Sequence, residues 1–246
     1  MLRLYHAWAS TCSQKVRLAL AEKELPYEGV VLSLRRFEQL SPDFLSINPE
    51  GVVPVLVHDG FTLRESTIIN DYLDDAFPQR PLRPADAKGR ARVAMWNRFV
   101  DDVLTLAIKK PSFQRNMRPF LQSLPAAEID AAVARMPNPE TARRWRDAAR
   151  NGIPETELAA ADADLRRMLD RMQATLIADT WLAGDDYSLA DVNIAPFVHR
   201  LASFAEYDLA RDWPAVADWY ARLLARPAFA RANFAEQVAT PTRRND

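Results

Sequence analysis

Cysteine is nearly absent from this chain. Cys12 is the only one in 246 residues, which excludes an internal disulfide and points to a reducing compartment. Histidine is also scarce: His6, His58 and His199 lie far apart, without the spacing of a metal-ligand set. No metal is expected. Excess charge of either sign is missing, since 32 basic residues face 33 acidic ones for a net charge of −1. A global basic field for nucleic acid is therefore excluded. No apolar run reaches the ~18 residues that would span a bilayer. The opening Met1-Leu2-Arg3-Leu4-Tyr5 reads as a strand rather than a signal sequence. A cytoplasmic protein with no membrane partner is the expectation.

What is present fits a soluble globular chain: 48% hydrophobic and 26% charged residues. The length allows one large domain or two ordinary ones. Residues 2–6 form a short apolar strand candidate. Residues 11–24 read as a helix, with Val16, Ala19, Leu20 and Lys23 at helical spacing and Pro26 just beyond. Residues 27–32 suit a second strand, and 35–46 a weaker helix broken by Pro42. Val55 to His58 and Phe61 to Leu63 flank Asp59-Gly60, a strong hairpin signal. Residues 66–77 return to a helix with Ile68, Ile69, Tyr72, Leu73 and Ala76 on its apolar face. The order β-α-β-α-β-β-α calls for a small mixed sheet with helices packed on it.

Pro78, Pro81 and Pro84 then mark a change of character. No convincing strand follows Asp86, and helical patterns occupy 87–106, 126–134, 140–150, 155–178, 189–204 and 214–224. Residues 107–125, with three prolines, read as irregular. Two domains result, 1–80 mixed α/β and 87–246 all helical. Ser188-Leu189-Ala190-Asp191 has the form of a capping box, and Pro196 should weaken or bend the helix that follows. Arg143, Arg144, Arg146 and Arg150 interleave with Glu140 and Asp147, the pattern of a solvated helix face. The tail 240–246 is polar and reads as frayed.

The most informative stretch is Val52-Val53-Pro54-Val55-Leu56, followed by Glu65-Ser66-Thr67. A proline lacks the amide hydrogen of a central ladder, so Pro54 belongs at a strand start or edge. It also adopts the cis form cheaply, which would turn Val53 outward and free its backbone to grip an extended peptide. Glu65 and Ser66 arrive at the start of a helix, where an acidic ligand group is welcome. Such a combination suits a small zwitterionic peptide.

The hairpin with Val53-Pro54, the Glu65-Ser66 pair, the capping box with Asp191 and the domain order resemble the cytosolic glutathione transferases over nearly the whole chain. The resemblance implies a thioredoxin-like N-terminal domain binding glutathione as co-substrate, followed by an all-helical C-terminal domain with the pocket for an apolar electrophile. It also implies a homodimer. Ser10-Thr11-Cys12-Ser13 resembles the segment of zeta-class enzymes and reductive dehalogenases. Arg36-Phe37-Glu38-Gln39, Ile47-Asn48-Pro49 and an insertion spanning Pro137-Asn138-Pro139, Arg144-Trp145-Arg146-Asp147 and Asn151-Gly152 resemble bacterial β-aryl-ether-cleaving transferases.

A free thiol near pKa 8.5 is only a few per cent thiolate at pH 7. Lowering it by about two units takes roughly 2.7 kcal/mol. One or two charge-assisted hydrogen bonds plus a helix N-terminus supply that. Ser10, Cys12 and Ser13 lie between the first strand and helix, where such donors belong. By resemblance, Ser10 is the zeta-type thiolate serine, Cys12 the residue of mixed disulfides or a reductive second step, and Ser13 the serine of the ether-cleaving enzymes. Helix capping is the plainer role for Ser10 and Ser13, and packing for Cys12. The resemblance further gives Ser66 the γ-glutamyl carboxylate, Glu65 the ammonium, and Val53 the backbone bonds of the cysteinyl part. Leu40 and Val52 stand where relatives often carry a polar residue for the glycyl carboxylate, with Gln39, Arg35 or Arg36 as substitutes. Trp96, Phe99, Trp145, Trp181, Trp213 and Trp219 read mostly as core, with one or two aromatics near 96–120 lining the co-substrate pocket. Three reactions compete: conjugation, β-ether cleavage, and reductive dehalogenation or thiol exchange. The rival from another class is a non-catalytic glutathione- or protein-binding member.

Overall fold

A computed structural model describes residues 1–234. The expected polar tail at 240–246 lies outside the described residues. The sheet has four strands in the order β2-β1-β3-β4, with β1 Leu2–His6, β2 Glu28–Val31, β3 Val55–His58 and β4 Phe61–Leu63. β1 runs parallel to β2 and antiparallel to β3, which is antiparallel to β4. The turn at Asp59-Gly60 has positive φ at both residues, 48° and 86°, as a primed turn requires. Helices α1 (Thr11–Glu22) and α3 (Ser66–Ala76) pack on each other and on the sheet, while α2 (Pro42–Ile47) sits in the crossover to β3. Here Pro42 begins a helix instead of breaking one. Ser41 caps it, accepting from Phe44 N at 3.3 Å, and a proline in the first turn removes a donor that would go unpaired anyway. A separate 3₁₀ turn covers Glu38–Leu40.

Helices make up the remainder: α4 Ala87–Phe99, α5 Thr105–Ser112, α6 Arg118–Gln122, α7 Ala126–Ala134, α8 Pro139–Asn151, α9 Glu155–Ala178, α10 Leu189–Leu201, α11 Leu209–Asp212, α12 Pro214–Leu224 and α13 Pro227–Ala232. The expectation of irregular structure at 107–125 is wrong for most of that stretch. π-helical turns at Val100–Leu104 and Phe113–Met117 bracket α5. The second follows Pro111, whose missing amide an ordinary α-turn cannot absorb. Pro119 lies at the start of α6, directly after the second π-turn. Further on, α10 continues through Pro196.

Helix α10 is the hub. All its residues from Leu189 to Val198 are buried, and it packs on α1, α3, α4 and α12. Asn193 Nδ2 donates to Asn97 Oδ1 at 2.8 Å, and Asn70 Nδ2 donates to Asn193 Oδ1 at 2.7 Å. This chain of amides ties α4 and α3 to α10 with directional bonds inside an apolar core. The connection between α3 and α4 is fixed by buried Asp74, which accepts from Lys23 Nζ at 2.8 Å, Leu82 N at 2.7 Å and Arg83 Nε at 3.2 Å.

The capping box at Ser188 is present as expected, and Asp191 does more than cap. Its carboxylate is fully buried and accepts from Leu182 N at 3.1 Å, Ser188 N at 3.0 Å and Trp219 Nε1 at 2.8 Å. Burial raises its pKa from 3.8 to about 6, against the pull of these donors. Protonation therefore favours the folded state. The stability contribution is fully present below the unfolded value of 3.8 and is lost as pH rises through about 6. Urea unfolding from pH 4 to 7 should show this group's stabilisation, on the order of 2–3 kcal/mol, fading in the parent and missing from Asp191→Asn. Asp191→Ala, which strips the acceptor from four buried donors, the Ser188 hydroxyl included, should cost at least about 3 kcal/mol.

Candidate functional site

Register decides which loops meet. Tyr5 pairs with Val55, so the start of β3 lies beside the end of β1. Leu56 pairs with Leu63, placing the end of β4 at that same edge, and His6 pairs with Val31 at the end of β2. The loop carrying Ser10, the Val53-Pro54 bond, the Glu65-Ser66 pair and the β2–α2 loop with Gln39 therefore all emerge at one end of the sheet. Every sequence-predicted binding residue is on this rim.

Ser10 is the N-cap of α1, and its Oγ accepts from Ser13 N at 3.2 Å. That bond uses a lone pair and leaves the hydroxyl hydrogen to donate. Ser13 is fully buried and turns inward, its Oγ accepting from Ala7 N at 3.3 Å. Cys12 lies partly exposed in the first turn, where the unpaired amides of the helix favour negative charge. The preceding carbonyls are also held: Arg17 Nη1 donates to Ala7 O at 3.2 Å, Arg17 Nη2 to Trp8 O at 3.2 Å and Arg200 Nη2 to Ala9 O at 2.7 Å.

The Val53-Pro54 bond is cis, and Pro54 stands immediately before β3 as expected. Buried Asn48 shapes the approach, donating from Nδ2 to Val52 O at 2.7 Å while its Oδ1 accepts from Glu50 N at 3.2 Å. Gly51, at φ +64°, is required twice over: a Cβ there would lie 2.9 Å from Leu40 Cδ2.

Glu65 caps α3 with φ +60° and ψ 113°, a conformation that an L-residue adopts only under constraint. Ser66 and Thr67 behind it are buried, and Thr67 Oγ1 donates to Asp101 Oδ2 at 2.6 Å. The other oxygen of Asp101 lies 3.8 Å from Nζ of Lys15, whose side chain is fully buried. Neither Lys15 nor Asp101 was assigned a role by sequence reasoning. A carboxylate at the start of the helical region meeting a lysine on the first helix, 86 residues away, has no local signature.

The β2–α2 loop belongs to a second apolar core. Phe37, at φ +56°, and Leu40 are buried with Leu121 of α6, Ile129, Ala132 and Val133 of α7, and Ala149 of α8. Trp145 sits edge-on to both Phe37 and Phe113, each at 5.6 Å. Leu40 is thus apolar because it belongs to this second core. Gln39 remains on the loop with a buried, unpartnered Oε1, Arg35 lies 5.4 Å over the Phe120 ring, and Arg36 pairs with Glu38 at the surface. Arg146 and Arg150 bond Asp130 of α7, and Arg144 bonds Glu140, so three of that arginine row are occupied by their neighbours. The histidines have separate partners: Tyr72 for His58, Tyr220 for His199, and Arg17 for His6, whose pKa burial lowers to about 4.

Residues 4–81 match the glutathione S-transferase N-terminal domain model, and residues 125–227 match the C-terminal domain model. The chain is 34% identical over 237 residues to Protein LigF of Sphingobium sp., covering 92% of this chain and 91% of that one. The crystal structure of beta-etherase LigF from Sphingobium sp. strain SYK-6 superposes with a TM-score of 0.88 at 32% identity, covering 94% and 98% of the two chains. Glutathione S-transferase Z2 of Arabidopsis thaliana is 29% identical over 242 residues, 98% of this chain and 94% of its own. With both domain models matched and relatives aligned nearly end to end, the chain belongs to the cytosolic glutathione S-transferase family.

Proposed function

We propose that this glutathione transferase ionises the thiol of glutathione at the N-terminus of α1 through Ser10, and directs the sulfur at an apolar electrophile. The observation that carries this reading is the shared rim. The first turns of α1 and α3, the Val53 edge and Gln39 border one end of one sheet, and each offers what a different part of γ-Glu-Cys-Gly needs. Glu65 receives the ammonium, and Ser66 at the start of α3 receives the γ-glutamyl carboxylate. The backbone of Val53 meets the cysteinyl part, beside Pro54. Ser10 donates to the thiolate, with the dipole of α1 behind it. Cys12 is available for a later thiol-exchange step. Ser13 supports the loop from inside and is the least accessible of the three.

Among the reactions open to such a thiolate, we favour displacement at a carbon bearing an aryl ether. The likeness to the beta-etherase LigF, 34% identical over 237 residues and superposing with a TM-score of 0.88, supports this. The sulfur forms the new C–S bond while the C–O bond breaks, and the aryl oxide leaves with the electron pair and takes up a proton. No oxidant or reductant is consumed. The protein acts as a homodimer in the cytoplasm. Support for the dimer is a set of large apolar side chains left exposed on β4, α3, α4 and α5, namely Phe61, Ile68, Met95 and Leu106.

Ser10→Ala should lower kcat/KM about a hundredfold and raise the pH midpoint of the bound thiolate, read by its ultraviolet absorbance, by roughly two units. Cys12→Ala should leave ether displacement intact; an equal loss in both variants would remove Ser10 from its role. Glu65→Gln, which keeps the backbone and discharges the side chain, should raise the glutathione KM at least about tenfold, or 1.4 kcal/mol. Little change in Tm should accompany it. Ile68→Asp should convert a dimer into a monomer in sedimentation velocity, and a parent that sediments as a monomer would refute the interface.

A further inference from the structure

Arg17 is a full charge in the core with an exposure of 1%. Among the described residues no carboxylate pairs with it. Backbone carbonyls solvate it instead, and they come from two places. Ala7 O and Trp8 O belong to the loop that leads to Ser10, each 3.2 Å from a guanidinium nitrogen. Ala232 O at 3.0 Å and Asn233 O at 3.2 Å belong to the end of α13, more than two hundred residues away. The face of the guanidinium lies 4.8 Å from the Trp8 ring, and Nη1 faces His6 Nδ1 at 3.4 Å. Gln14, equally buried, repeats the pattern one turn earlier: its Nε2 reaches both Trp8 O at 3.3 Å and Phe234 O at 3.4 Å.

A buried guanidinium is tolerated only while its donors are filled. Its planar fork fixes the directions from which they can be filled. If residues 232–234 move away, Arg17 and Gln14 lose acceptors that nothing else in the core replaces. They must then turn, and the carbonyls of Ala7 and Trp8 turn with them. Ser10 follows two residues after Trp8, and its amide is anchored on Ala7 O at 3.3 Å. Asn233 holds its end of the arrangement with φ +47°, a left-handed conformation that asparagine accepts and β-branched residues resist.

We propose that Arg17 and the chain segment 232–234 form a clamp that positions the Ser10 loop, making Arg17 a positioning residue for the thiolate. The inference deepens the function proposed above and rests on Ser10 meeting the sulfur. The C-terminal end of the helical domain thereby sets the geometry of a donor that belongs to the first domain.

The test uses the full-length protein and two independent ways of opening the clamp. Arg17→Lys keeps the charge and loses the fork. Asn233→Val keeps Arg17 and displaces the carbonyl at 233, while Asn233→Gly retains the left-handed backbone and serves as the conservative control. Amide hydrogen exchange across residues 7–13 reads the loop, and the ultraviolet titration of bound glutathione reads the thiolate. Arg17→Lys and Asn233→Val should speed loop exchange at least about tenfold relative to the parent and raise the thiolate midpoint by about half a pH unit or more. Asn233→Gly should do neither. Should Arg17→Lys fail to fold, Asn233→Val carries the test alone. Folded variants whose loop exchanges at the parental rate, or whose loop loosens while the thiolate midpoint stays fixed, overturn the proposal. A parent that forms no thiolate, yet whose loop loosens in Asn233→Val, upholds the clamp and removes the Ser10 reading instead.

Discussion

The seat of α10 on Asp191 is the contact on which the rest of the molecule depends. One buried carboxylate collects the amide of Leu182, the amide of Ser188 and the indole of Trp219. It thereby fixes where α10 starts, which way it points and how α12 lies against it. From that helix, Asn193 reaches Asn97 on α4 and Asn70 on α3. Apolar burial supplies most of the stabilisation of such a core but is indifferent to small slides between helices. Buried amide pairs are not indifferent, because a slipped register leaves donors empty. The polar chain therefore specifies the arrangement that the hydrophobic contacts stabilise, and so carries the rim of the sheet to a defined distance from the helical domain.

The rim holds several residues in states that a purely stable protein would avoid. Glu65 and Phe37 hold positive φ without being glycine. Lys15 and Arg17 are charges with no solvent. Both cations lie on the first helix, and each is compensated by something distant in sequence: Asp101 for Lys15, and the end of α13 for Arg17. The two cations also add positive potential behind the start of α1, which favours the same anionic ligand groups that the helix dipole favours.

The sequence made the β-α-β-α-β-β-α order, the hairpin at Asp59-Gly60 and the strand-starting Pro54 legible, because each is written in local chemistry. Turn residues demand particular φ values, and proline forbids particular hydrogen bonds. The capping box was legible for the same reason, though not the indole that completes it, since Trp219 is 28 residues from Asp191. Prolines misled where their position within a helix decides their effect. Pro42 starts a helix and Pro119 sits in a first turn, while Pro111 is followed by a π-turn. The anomaly of Leu40 could not be understood from the sequence either. Its explanation is a partner surface, Leu121 and Ile129 among others, that exists only once α6, α7 and α8 have folded together.

That shared surface has a bearing on how such enzymes diversify. Helices α6 to α8 do not stand beside the β2–α2 loop as an independent attachment. They draw Phe37 and Leu40 into a common interior, and Trp145 sits edge-on between that loop and the π-turn at Phe113. Transplanting the helices alone into a relative with a polar residue in place of Leu40 would bury an unmatched polar group. Shuffling of the two parts by recombination is thus constrained to inherit them together, and a new specificity on this scaffold has to arise by substitution within the joined unit.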